Sequence, residues 1–441
     1  MPRLLEKPPA GAHGSMNILL STFACNPGTG SESGLGWNWA LQIARFHHVW
    51  VLTQTKERHH IENVLARNPI PNAHWIFCDL PPWARFWKRG HWGENLYYYI
   101  WQIWAYLNAR RLHKQVQFDL AHHVTFVRYW MPSFLAFLPV PFIWGPVGSG
   151  DSFPPGFLRT VSIGGRLTER LRTFARSVGE LDPLVRLTAK RAKCAFAATD
   201  ATKERMKSLG CLPITIQPES ALSPDEIEWL GTLPPHESQP FRLLSMGRLI
   251  PSKAFELSLK GFAEFHRAFP SSEYWVIGDG PERNRLTRIA SNLGIENWVR
   301  FWGTLPRDEA LAKLAECNVL VHPSLRESGG WVCLEAMAAA RPVVCLDWAG
   351  PGVQVTTDTG IKISPGSPKQ VVKDIAAALV SLAVHPEVCC RLGQQGRRRV
   401  AEHFDWERKG DFMSQVYQLV WAPAAAQQAV NPMALEQDAE R

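Results

Sequence analysis

The 441-residue sequence predicts an α/β protein with two Rossmann-like domains, and three observations support this fold class. The chain is too long for one ordinary domain and suits two of roughly 200 residues each. Short apolar or β-branched runs alternate with longer amphipathic segments from Met16 onward and again from Phe241, which is typical of βαβ units on a parallel sheet. Between the two series, segment 217–240 has the Pro-rich, Ser-rich and acidic composition of a linker.

These patterns predict the domain boundaries. Residues 1–15 precede the first strand and are expected to form a disordered extension. The first domain is expected over 16–216, the linker over 217–240 and the second domain over 241–402. Segment 403–422 predicts a last amphipathic helix that packs back on the first domain, and 423–441 predicts a frayed tail.

Bulk composition excludes several function classes. The nine cysteines include no CxxC pair, which indicates a reduced, cytoplasmic protein with neither a disulfide framework nor a zinc site. The formal net charge of +8 favours an anionic partner. Because the sequence has no zinc-finger spacing or RNP-like aromatic motif, we do not expect that partner to be a nucleic acid. No apolar run has the length of a signal or membrane-spanning helix.

The first strand, NILLSTFA, leads into the glycine-rich loop CNPGTGSESGLGWNWA. Gly28, Gly30 and Gly34 form a GxGxxxG pattern that suggests dinucleotide binding, but the second strand, VWVLTQTK, ends without the acidic residue that would hold a ribose. Glu32 in this loop has two interpretations. It is either a carboxylate favoured by the helix dipole or a functional group.

The segment FDLAHHVTF predicts a strand that ends in His122 and His123. Successive strand side chains point to opposite faces, so one histidine is expected to pack in the core and the other to be a candidate functional residue. The sequence does not say which. Adjacent strand histidines diverge and no Cys or carboxylate cluster accompanies them, so no metal site is predicted.

Segment 81–114 interleaves Trp, Tyr and Phe with Lys and Arg. This mixture is typical of an element at an anionic membrane surface. An equally good interpretation is a helix packed on the sheet with a basic outer face.

In the second domain, SMGRLIPSK predicts a strand that ends at Gly247, with Arg248 and Lys253 in the following loop. Two cations at the carboxyl edge of a parallel strand, beside a helix start, suit a diphosphate. The alternative is two solvated surface charges. The next strand ends in VIGDGPE, where the turn at Asp279 and Gly280 would let the backbone approach a ligand.

The segment VHPSLRESGGWVCLEA places Glu327 in a loop and Glu335 one to two turns into the following helix. The amides between them would point at an anion or at sugar hydroxyls. Carboxylates near a diphosphate would be repelled, so Glu327 should face a sugar and Glu335 a ribose. The residues between them that we expect at the ligand are Ser328, Gly329, Gly330, Trp331 and Val332.

These motifs, GRL with the following lysine, GDGP, and E-x7-E followed by AMA, resemble in order and spacing the donor domain of retaining family-4 glycosyltransferases of the GT-B fold. The resemblance is strongest over 241–352. It implies two Rossmann-like domains that face each other across a cleft. It also implies that Arg248 and Lys253 bind the donor diphosphate, Glu327 the transferred sugar and Glu335 the ribose.

For the first domain, the resemblance implies an acceptor-side role, with Gly30 near the donor phosphate. It also implies a cleft histidine in a D-x-x-H setting that Asp119 and His122 match. Two departures make the sugar harder to infer. Lys253 is followed by Ala254 where the family often has glycine, and Glu327 by Ser328-Gly329-Gly330 where Glu-Gly-Phe-Gly is common.

The predicted function is therefore a retaining hexosyltransferase that uses a nucleotide-diphosphate sugar as co-substrate, with no cofactor and no metal. Arg248, Lys253 and the helix start near Gly330 would stabilise the leaving diphosphate. The expected acceptor is a glycan or lipid-linked molecule of cell-surface polysaccharide or glycolipid synthesis, used in the cytoplasm at the inner face of the membrane. The alternative is a non-catalytic nucleotide-sugar-binding partner of another transferase.

Overall fold

A computed structural model of the protein describes residues 14–28, 30–88, 93–234 and 239–421. The predicted tail 423–441 and all but the end of the predicted extension 1–15 lie outside these residues. The described chain divides into two compact units. Unit 1 contains the described residues within Met1–Gly150, Ala175–Glu219 and Trp406–Arg441, and unit 2 contains Asp151–Phe174 and Ser220–Asp405.

Unit 1 is built on a seven-stranded parallel sheet with the order β3-β2-β1-β4-β5-β6-β7. The order turns back on itself between β1 and β4, and this is the point at which ligands bind in open α/β sheets. All six residues of β4 are buried, as expected for a central strand covered on both faces. The strands are β1 Asn17–Thr22, β2 His48–Thr53, β3 Ala73–Phe77, β4 Leu120–Thr125, β5 Phe142–Val147, β6 Ala192–Ala197 and β7 Ile214–Ile216.

Helices connect these strands, so the βαβ pattern predicted for the first half is confirmed. They are α1 Ser31–Ala44, α2 Arg58–Leu65, α3 Pro82–Arg85, α4 Glu94–Val116, α5 Ile163–Leu181, α6 Pro183–Arg191 and α7 Asp200–Ser208. The division between the units falls within α5, after Phe174. Residues 151–174, predicted as part of the first domain, thus belong to unit 2.

Unit 2 is built on a six-stranded parallel sheet with the order β10-β9-β8-β11-β12-β13. The order turns back between β8 and β11, so unit 2 repeats the topology at the centre of unit 1. Its strands are β8 Phe241–Met246, β9 Ser272–Ile277, β10 Val299–Gly303, β11 Val319–His322, β12 Val343–Leu346 and β13 Gly360–Ile363. Its helices are α8 Pro224–Gly231, α9 Phe255–Ala268, α10 Arg283–Asn292, α11 Arg307–Ala312, α12 Trp331–Ala338, α13 Ala349–Gln354, α14 Pro368–Val384 and α15 Pro386–His403.

The segment predicted as a linker, 217–240, contains α8, although residues 235–238 lie outside the described part. The Ser223 hydroxyl accepts the Glu226 amide N–H at 3.2 Å, and the Glu226 carboxylate accepts the Ser223 amide N–H at 2.9 Å. Pro224 occupies the first helical position. Serine, proline and acidic residues are also the composition of a helix start, which explains why the same letters suggested a linker.

The last described helix, α16 Trp406–Trp421, lies in unit 1 and packs on α1. The rings of Trp406 and Trp39 meet edge to face with centroids 5.5 Å apart. Further along, the Ser414 hydroxyl lies 3.0 Å from Nε2 of His47. These contacts join the last described helix to the first βαβ unit.

The aromatic segment 81–114 contributes α3 and most of α4, and its residues 89–92 lie outside the described chain. Tyr97, Tyr98 and Trp101 of α4 are fully buried, so this helix matches the interpretation of a helix packed on the sheet. Trp83 and Phe86, in and just after α3, are exposed. Membrane contact through this segment stays a prediction.

Within the described chain, no single helix is long and apolar enough to cross a bilayer. Only α14 and α15 taken together reach that length and composition, and they are bent by 103°.

All nine cysteines are free thiols. Six are buried, Cys194 and Cys389 are half-buried, and Cys390 on α15 is exposed. Burial raises the pKa of Cys78 and of Cys211 to about 12.

Candidate functional site

Two glycines at the carboxyl edge of the unit 2 sheet leave the backbone there without side chains. Gly247 follows β8 with φ of 137°, and Gly278 follows β9 with φ of 127°. A Cβ atom on Gly278 would lie 2.0 Å from the Gly247 carbonyl oxygen, so a side chain has no room there. The two turns therefore pack backbone against backbone, and this requires glycine.

The neighbouring turn contains Asp279 and Gly280. A Cβ atom on Gly280, where φ is 157°, would lie 2.5 Å from the Leu249 carbonyl oxygen. The Leu249 amide donates to the Asp279 carbonyl oxygen at 2.9 Å. The exposed Asp279 carboxylate accepts the Gly280 amide at 2.7 Å. Asp279 thus supports the turn with its side chain.

The two predicted cations occupy different environments. Arg248 is exposed, and no described residue forms an ion pair or hydrogen bond with its guanidinium group. Lys253 is mostly buried, and its Nζ lies 2.6 Å from Oε2 of Glu327. The structure therefore brings together two of the predicted site residues, one after β8 and the other after β11.

Ala254, between Lys253 and α9, has φ of 49° and ψ of 36°. This left-handed conformation costs an alanine roughly 1 kcal/mol relative to glycine. The geometry explains why glycine is frequent at this position in the family that the sequence resembles.

Glu327 is held from two sides. Its Oε2 also lies 2.5 Å from Nε2 of His322, which is completely buried at the end of β11. Burial alone would raise the pKa of the Glu327 carboxyl, but Lys253 and His322 together hold it well below its usual range. The carboxylate is therefore ionised near neutral pH.

Burial lowers the pKa of His322, so its imidazole is neutral near pH 7. A neutral ring that faces a carboxylate through Nε2 carries its proton there and donates it to Glu327. Its Nδ1 atom is buried and has no hydrogen-bond partner among the described residues. His322 thus fixes the orientation of the carboxylate with a single hydrogen bond.

Hydrogen bonds from other parts of unit 2 hold the backbone of the loop from Glu327 to Gly330. The Gly329 carbonyl oxygen accepts hydrogen bonds from the Ser220 hydroxyl and the Gln354 amide. The Glu327 carbonyl oxygen accepts the Gly350 amide at 2.7 Å. Gly330, with φ of 56°, has no room for a Cβ, which would lie 2.6 Å from Oε1 of Gln354.

Helix α12 begins directly after this loop, at Trp331, and no described side chain caps its first turn. The amides of Trp331 and Val332 thus carry the positive end of the helix dipole. Trp331 is anchored through its indole N–H, which donates to the Ala221 carbonyl oxygen at 2.9 Å. Ser328 lies half-buried in the loop before it.

Glu335 lies in the second turn of α12 and is almost fully buried. Its Oε1 is 2.5 Å from Nη1 of Arg307, and Nη2 of that arginine is 2.9 Å from Oε1 of Glu226. Burial raises the pKa of the Glu335 carboxyl, and Arg307 opposes the rise. Glu335 therefore has a cationic partner, which sequence patterns did not reveal.

In unit 1, His122 is completely buried and both ring nitrogens are occupied. Nδ1 lies 2.6 Å from the Tyr417 hydroxyl, and Nε2 lies 2.6 Å from the Gly145 carbonyl oxygen. Burial lowers the pKa of this imidazole to about 3. The uncharged His122 ring therefore connects β5 and α16 of unit 1 through its two hydrogen bonds. Neither ring nitrogen is left for a ligand.

His123 is also buried, on the opposite face of β4. Its Nε2 lies 2.9 Å from the Tyr98 hydroxyl and 3.1 Å from the Thr125 carbonyl oxygen. Its Nδ1 is buried without a partner among the described residues. Burial lowers the pKa of His123 to about 3 as well. His123 thus keeps an unused nitrogen, whereas His122 does not.

The glycine-rich loop of unit 1 ends at Gly30, the exposed N-cap residue of α1. Its neighbour Thr29 is outside the described residues. Glu32 lies in the first turn of α1, where burial raises the pKa of its carboxyl and a hydrogen bond with the Phe126 backbone opposes the rise. Phe126 follows β4 with φ of 58°, an unusual conformation for an aromatic residue.

No three His, Cys, Asp or Glu side chains of the described chain are grouped where they could hold a metal ion. Sequence reasoning missed His322, Arg307, Ser220 and Gln354. His322 could have been noticed because it ends a strand five residues before Glu327. The other three come from distant parts of the chain and gave no local signal.

The chain is similar in sequence to known glycosyltransferases. Residues 234–399 match the family model described as glycosyl transferases group 1. Over 179 residues the chain is 31% identical to the glycogen synthase of Mycobacterium tuberculosis, covering 40% of this chain and 42% of the relative. Over 166 residues it is 29% identical to the lipopolysaccharide core biosynthesis glycosyltransferase LpsE of Rhizobium meliloti, covering 37% and 46%. The chain thus spans less than half the length of these relatives.

Among solved structures, HepE of Anabaena in complex with UDP-glucose aligns with 91% of this chain and 100% of its own. The TM-score is 0.56 at 16% sequence identity. This likeness, together with the two parallel sheets, confirms the predicted GT-B fold class.

Proposed function

We propose that this chain is a glycosyltransferase of the retaining, family-4 type. It moves a hexose from a nucleotide-diphosphate sugar to a glycan or lipid-linked acceptor and does not require a metal. The observation that carries the proposal is the mostly buried Lys253–Glu327–His322 cluster, which lies where the unit 2 sheet reverses its strand order. Ligands of open α/β sheets bind at this reversal point.

The main chemical demand of the reaction is to stabilise the negative charge that develops on the departing diphosphate. Lys253 has three N–H donors and uses one on Glu327, so donors remain for a phosphate. Arg248 is exposed and not engaged by described residues, and the uncapped start of α12 adds backbone donors. These groups supply positive charge at one sheet edge without a metal ion.

The two carboxylates suit the neutral, hydroxyl-bearing parts of the donor. Glu327 is ionised and oriented by His322, so it can accept hydrogen bonds from hydroxyls of the transferred hexose. Glu335, paired with Arg307, is assigned to the ribose. Gly247, Gly280 and Gly330 keep side chains away and so allow the backbone to approach the donor.

Retention of configuration belongs to the proposal through the family resemblance. The departing phosphate would take the acceptor proton on the face from which it leaves, and we assign no protein nucleophile. The name of LpsE and the glucan synthesised by a glycogen synthase support a glycan acceptor. The UDP-glucose complex of HepE supports a nucleotide-diphosphate sugar as donor. A cytoplasmic position at the inner membrane face remains part of the proposal.

A donor panel tests this function. Purified protein is mixed with UDP-, GDP- and ADP-sugars in the presence of EDTA, and both binding and slow donor hydrolysis are followed. We expect one donor to bind and to be hydrolysed. Because Lys253 would neutralise the leaving group, Lys253→Ala should lower hydrolysis about 100- to 1000-fold.

The matched control is Lys369→Ala, which removes the same charge from an exposed position on α14. Hydrolysis by this variant should equal that of the wild type. Equal loss in both variants would indicate a nonspecific charge effect, and hydrolysis only with added Mg²⁺ would contradict metal independence.

The second candidate function is a non-catalytic nucleotide-sugar-binding partner of another transferase. It is favoured by the pairing of Lys253 with Glu327, which already neutralises the site without a ligand. Donor binding without hydrolysis or transfer to any offered acceptor would select this candidate.

A further inference from the structure

Helix α5 exposes a continuous apolar stripe. Its members, which we call the outer stripe, are 53% to 81% exposed. They are Ile163, Leu167, Leu171, Phe174, Val178 and Leu181. Large apolar side chains exposed singly are ordinary, but six in a row along one helix indicate a contact surface.

The spacing of the outer stripe places all six side chains on one face. Successive members are separated by four, four, three, four and three residues. At 3.6 residues per turn, this spacing keeps them within about a quarter of the helix circumference. The stripe therefore runs the full length of α5.

The opposite face of α5 is polar and is turned inward. Glu169 is buried and forms an ion pair with Arg326, and Arg176 is also buried. Helices of globular proteins normally bury the apolar face, so α5 is inverted.

Two glycines on the inner face fix this orientation. A Cβ atom on Gly165 would lie 2.7 Å from Cβ of Pro251, and one on Gly179 would lie 2.3 Å from the Trp130 carbonyl oxygen. Only glycine permits such close approach, so the helix cannot rotate to bury its leucines without losing both contacts. The exposed leucines are therefore a property of the native packing.

The charges around the outer stripe have one sign. Arg166 and Arg170 border it on one side, and Arg170 is exposed. The two acidic residues of α5 lie on the inner side. Glu169 pairs with Arg326, and Glu180 accepts hydrogen bonds from Tyr129 at 2.5 Å and Arg205 at 2.9 Å. The outer side of α5 thus combines apolar and basic groups with no carboxylate.

We propose that the outer stripe of α5 docks this protein on an anionic lipid bilayer. A helix with an apolar face bordered by arginines lies in the plane of the interface, with its apolar face among the acyl chains and its cations at the headgroups. Anionic lipids supply the negative charge that the outer side lacks, and the net charge of +8 adds long-range attraction.

The charge pattern disfavours a second copy of this chain as the occupant. In a two-fold symmetric contact the same surface faces itself, and the outer side of α5 has no carboxylate to pair with the arginines that border the stripe. The proposal assigns a surface to the membrane position named in the proposed function, and it can fail separately from the transferase activity because docking is measured without donor or acceptor.

Vesicle binding tests the proposal. The full chain is sedimented with vesicles of phosphatidylcholine alone and with mixed phosphatidylcholine and phosphatidylglycerol vesicles. We expect binding to the mixed vesicles only, weakened by added salt. The double substitution Leu171→Gln with Phe174→Gln removes two large apolar groups from the stripe and should lower partitioning about tenfold or more.

The matched control is Leu212→Gln with Val384→Gln, which removes two similarly exposed apolar side chains far from α5 in sequence. This variant should partition like the wild type. Arg170→Gln should weaken binding to anionic vesicles about fivefold. Circular dichroism melting of each variant separates loss of binding from loss of fold.

The proposal is overturned if the wild type does not bind mixed vesicles, or if the stripe variant binds as well as the wild type. Loss of binding on replacing Trp83 and Phe86 alone would assign the contact to segment 81–114 instead. A concentration-dependent dimer that the stripe variant abolishes, without vesicle binding, would identify a second copy as the occupant. None of these outcomes depends on whether a donor is hydrolysed.

Discussion

The two sheets reverse their strand order in the same way, yet the residues at the two reversal points differ in kind. In unit 2 the reversal between β8 and β11 brings Lys253, Glu327 and His322 into one charged cluster. In unit 1 the reversal between β1 and β4 carries His122 and His123, both neutral and buried. The topology provides a ligand-binding position in both units. In unit 2 that position carries ionised side chains, and this makes it the candidate donor site.

Backbone strain follows the same contrast. Each reversal point has a non-glycine residue in the left-handed region, Ala254 in unit 2 and Phe126 in unit 1. The ring of Phe126 packs on Tyr98 and Phe23 with centroids 4.7 and 4.9 Å away, so packing offsets the unfavourable backbone. Ala254 has only a methyl group to offer. The strained residue of unit 1, Phe126, therefore packs in the hydrophobic core. The strained residue of unit 2, Ala254, lies beside Lys253, which the proposed chemistry requires.

The largest expected effect is on turnover in unit 2. Glu327→Gln should lower the rate of sugar transfer about 100-fold, because an amide cannot make charge-assisted bonds to a sugar hydroxyl and Lys253 together. Steady-state kinetics with the donor identified in the panel checks this. An unchanged rate would mean that transfer does not need the Glu327 carboxylate. The unit 2 reversal point would then no longer differ in function from that of unit 1.

The next effect concerns stability in unit 1. His122→Phe removes both hydrogen bonds of the ring and leaves the Tyr417 hydroxyl and the Gly145 carbonyl oxygen unsatisfied. We expect the free energy of unfolding to fall by about 2 kcal/mol, while the transfer rate stays within about threefold of the wild type. Thermal unfolding and kinetics on the same preparation test both. A large loss of rate at an unchanged melting temperature would make His122 a functional residue after all.

Acid sensitivity sharpens the contrast further. The folded pKa of His122 and of His123 is about 3, below the ordinary value of 6.5. Between these values the unfolded chain binds protons that the folded chain does not, so the free energy of unfolding falls as the pH drops. Each histidine contributes about 1.4 kcal/mol per pH unit across this window.

Glu327 contributes in a different window. Its folded pKa is depressed, so the stability it gives is present above the ordinary value near 4.5 and is lost only below it. Urea unfolding from pH 7 to pH 5 should therefore show a shallower pH dependence in His122→Phe than in the wild type. Parallel curves would mean that His122 is not neutral in the folded protein.

The smallest effect is at Ala254. Ala254→Gly removes the left-handed penalty of the alanine, partly offset by the greater freedom of glycine in the unfolded chain. We expect a gain of about 0.5 kcal/mol in the free energy of unfolding. Chemical denaturation measures it, and Ala310→Gly on the regular helix α11 is a control that should instead lose stability.

How much of the site the sequence could predict differs between the units for the same physical reason. In unit 2, Arg248 and Lys253 follow one strand and Glu327 follows another, so the carboxyl edge of a parallel sheet brings them together and short motifs suffice. The partner of His122 is Tyr417, 295 residues further along the chain, and no local pattern indicates such a contact. Arg307 and Gln354 escaped notice in the same way.

The domain boundaries show a related limit. Composition could not separate a linker from the capped start of α8. It also could not show that residues 151–174 belong to unit 2, because their inward contacts involve Pro251 and Arg326. Helical periodicity alone could show the apolar face of α5 but could not show the direction in which that face points.

The exposure of the nine thiols allows one of them to be labelled selectively with a fluorescent dye. Cys390 is exposed, whereas the other eight thiols are buried or half-buried, and burial raises the pKa of half-buried Cys389 to about 11. Thiolate is the reactive species, so a maleimide dye at neutral pH should attach predominantly at Cys390 without prior removal of the other cysteines. Because Cys390 lies on α15, that single dye would mark unit 2, the unit that contains the proposed donor site, at one defined position.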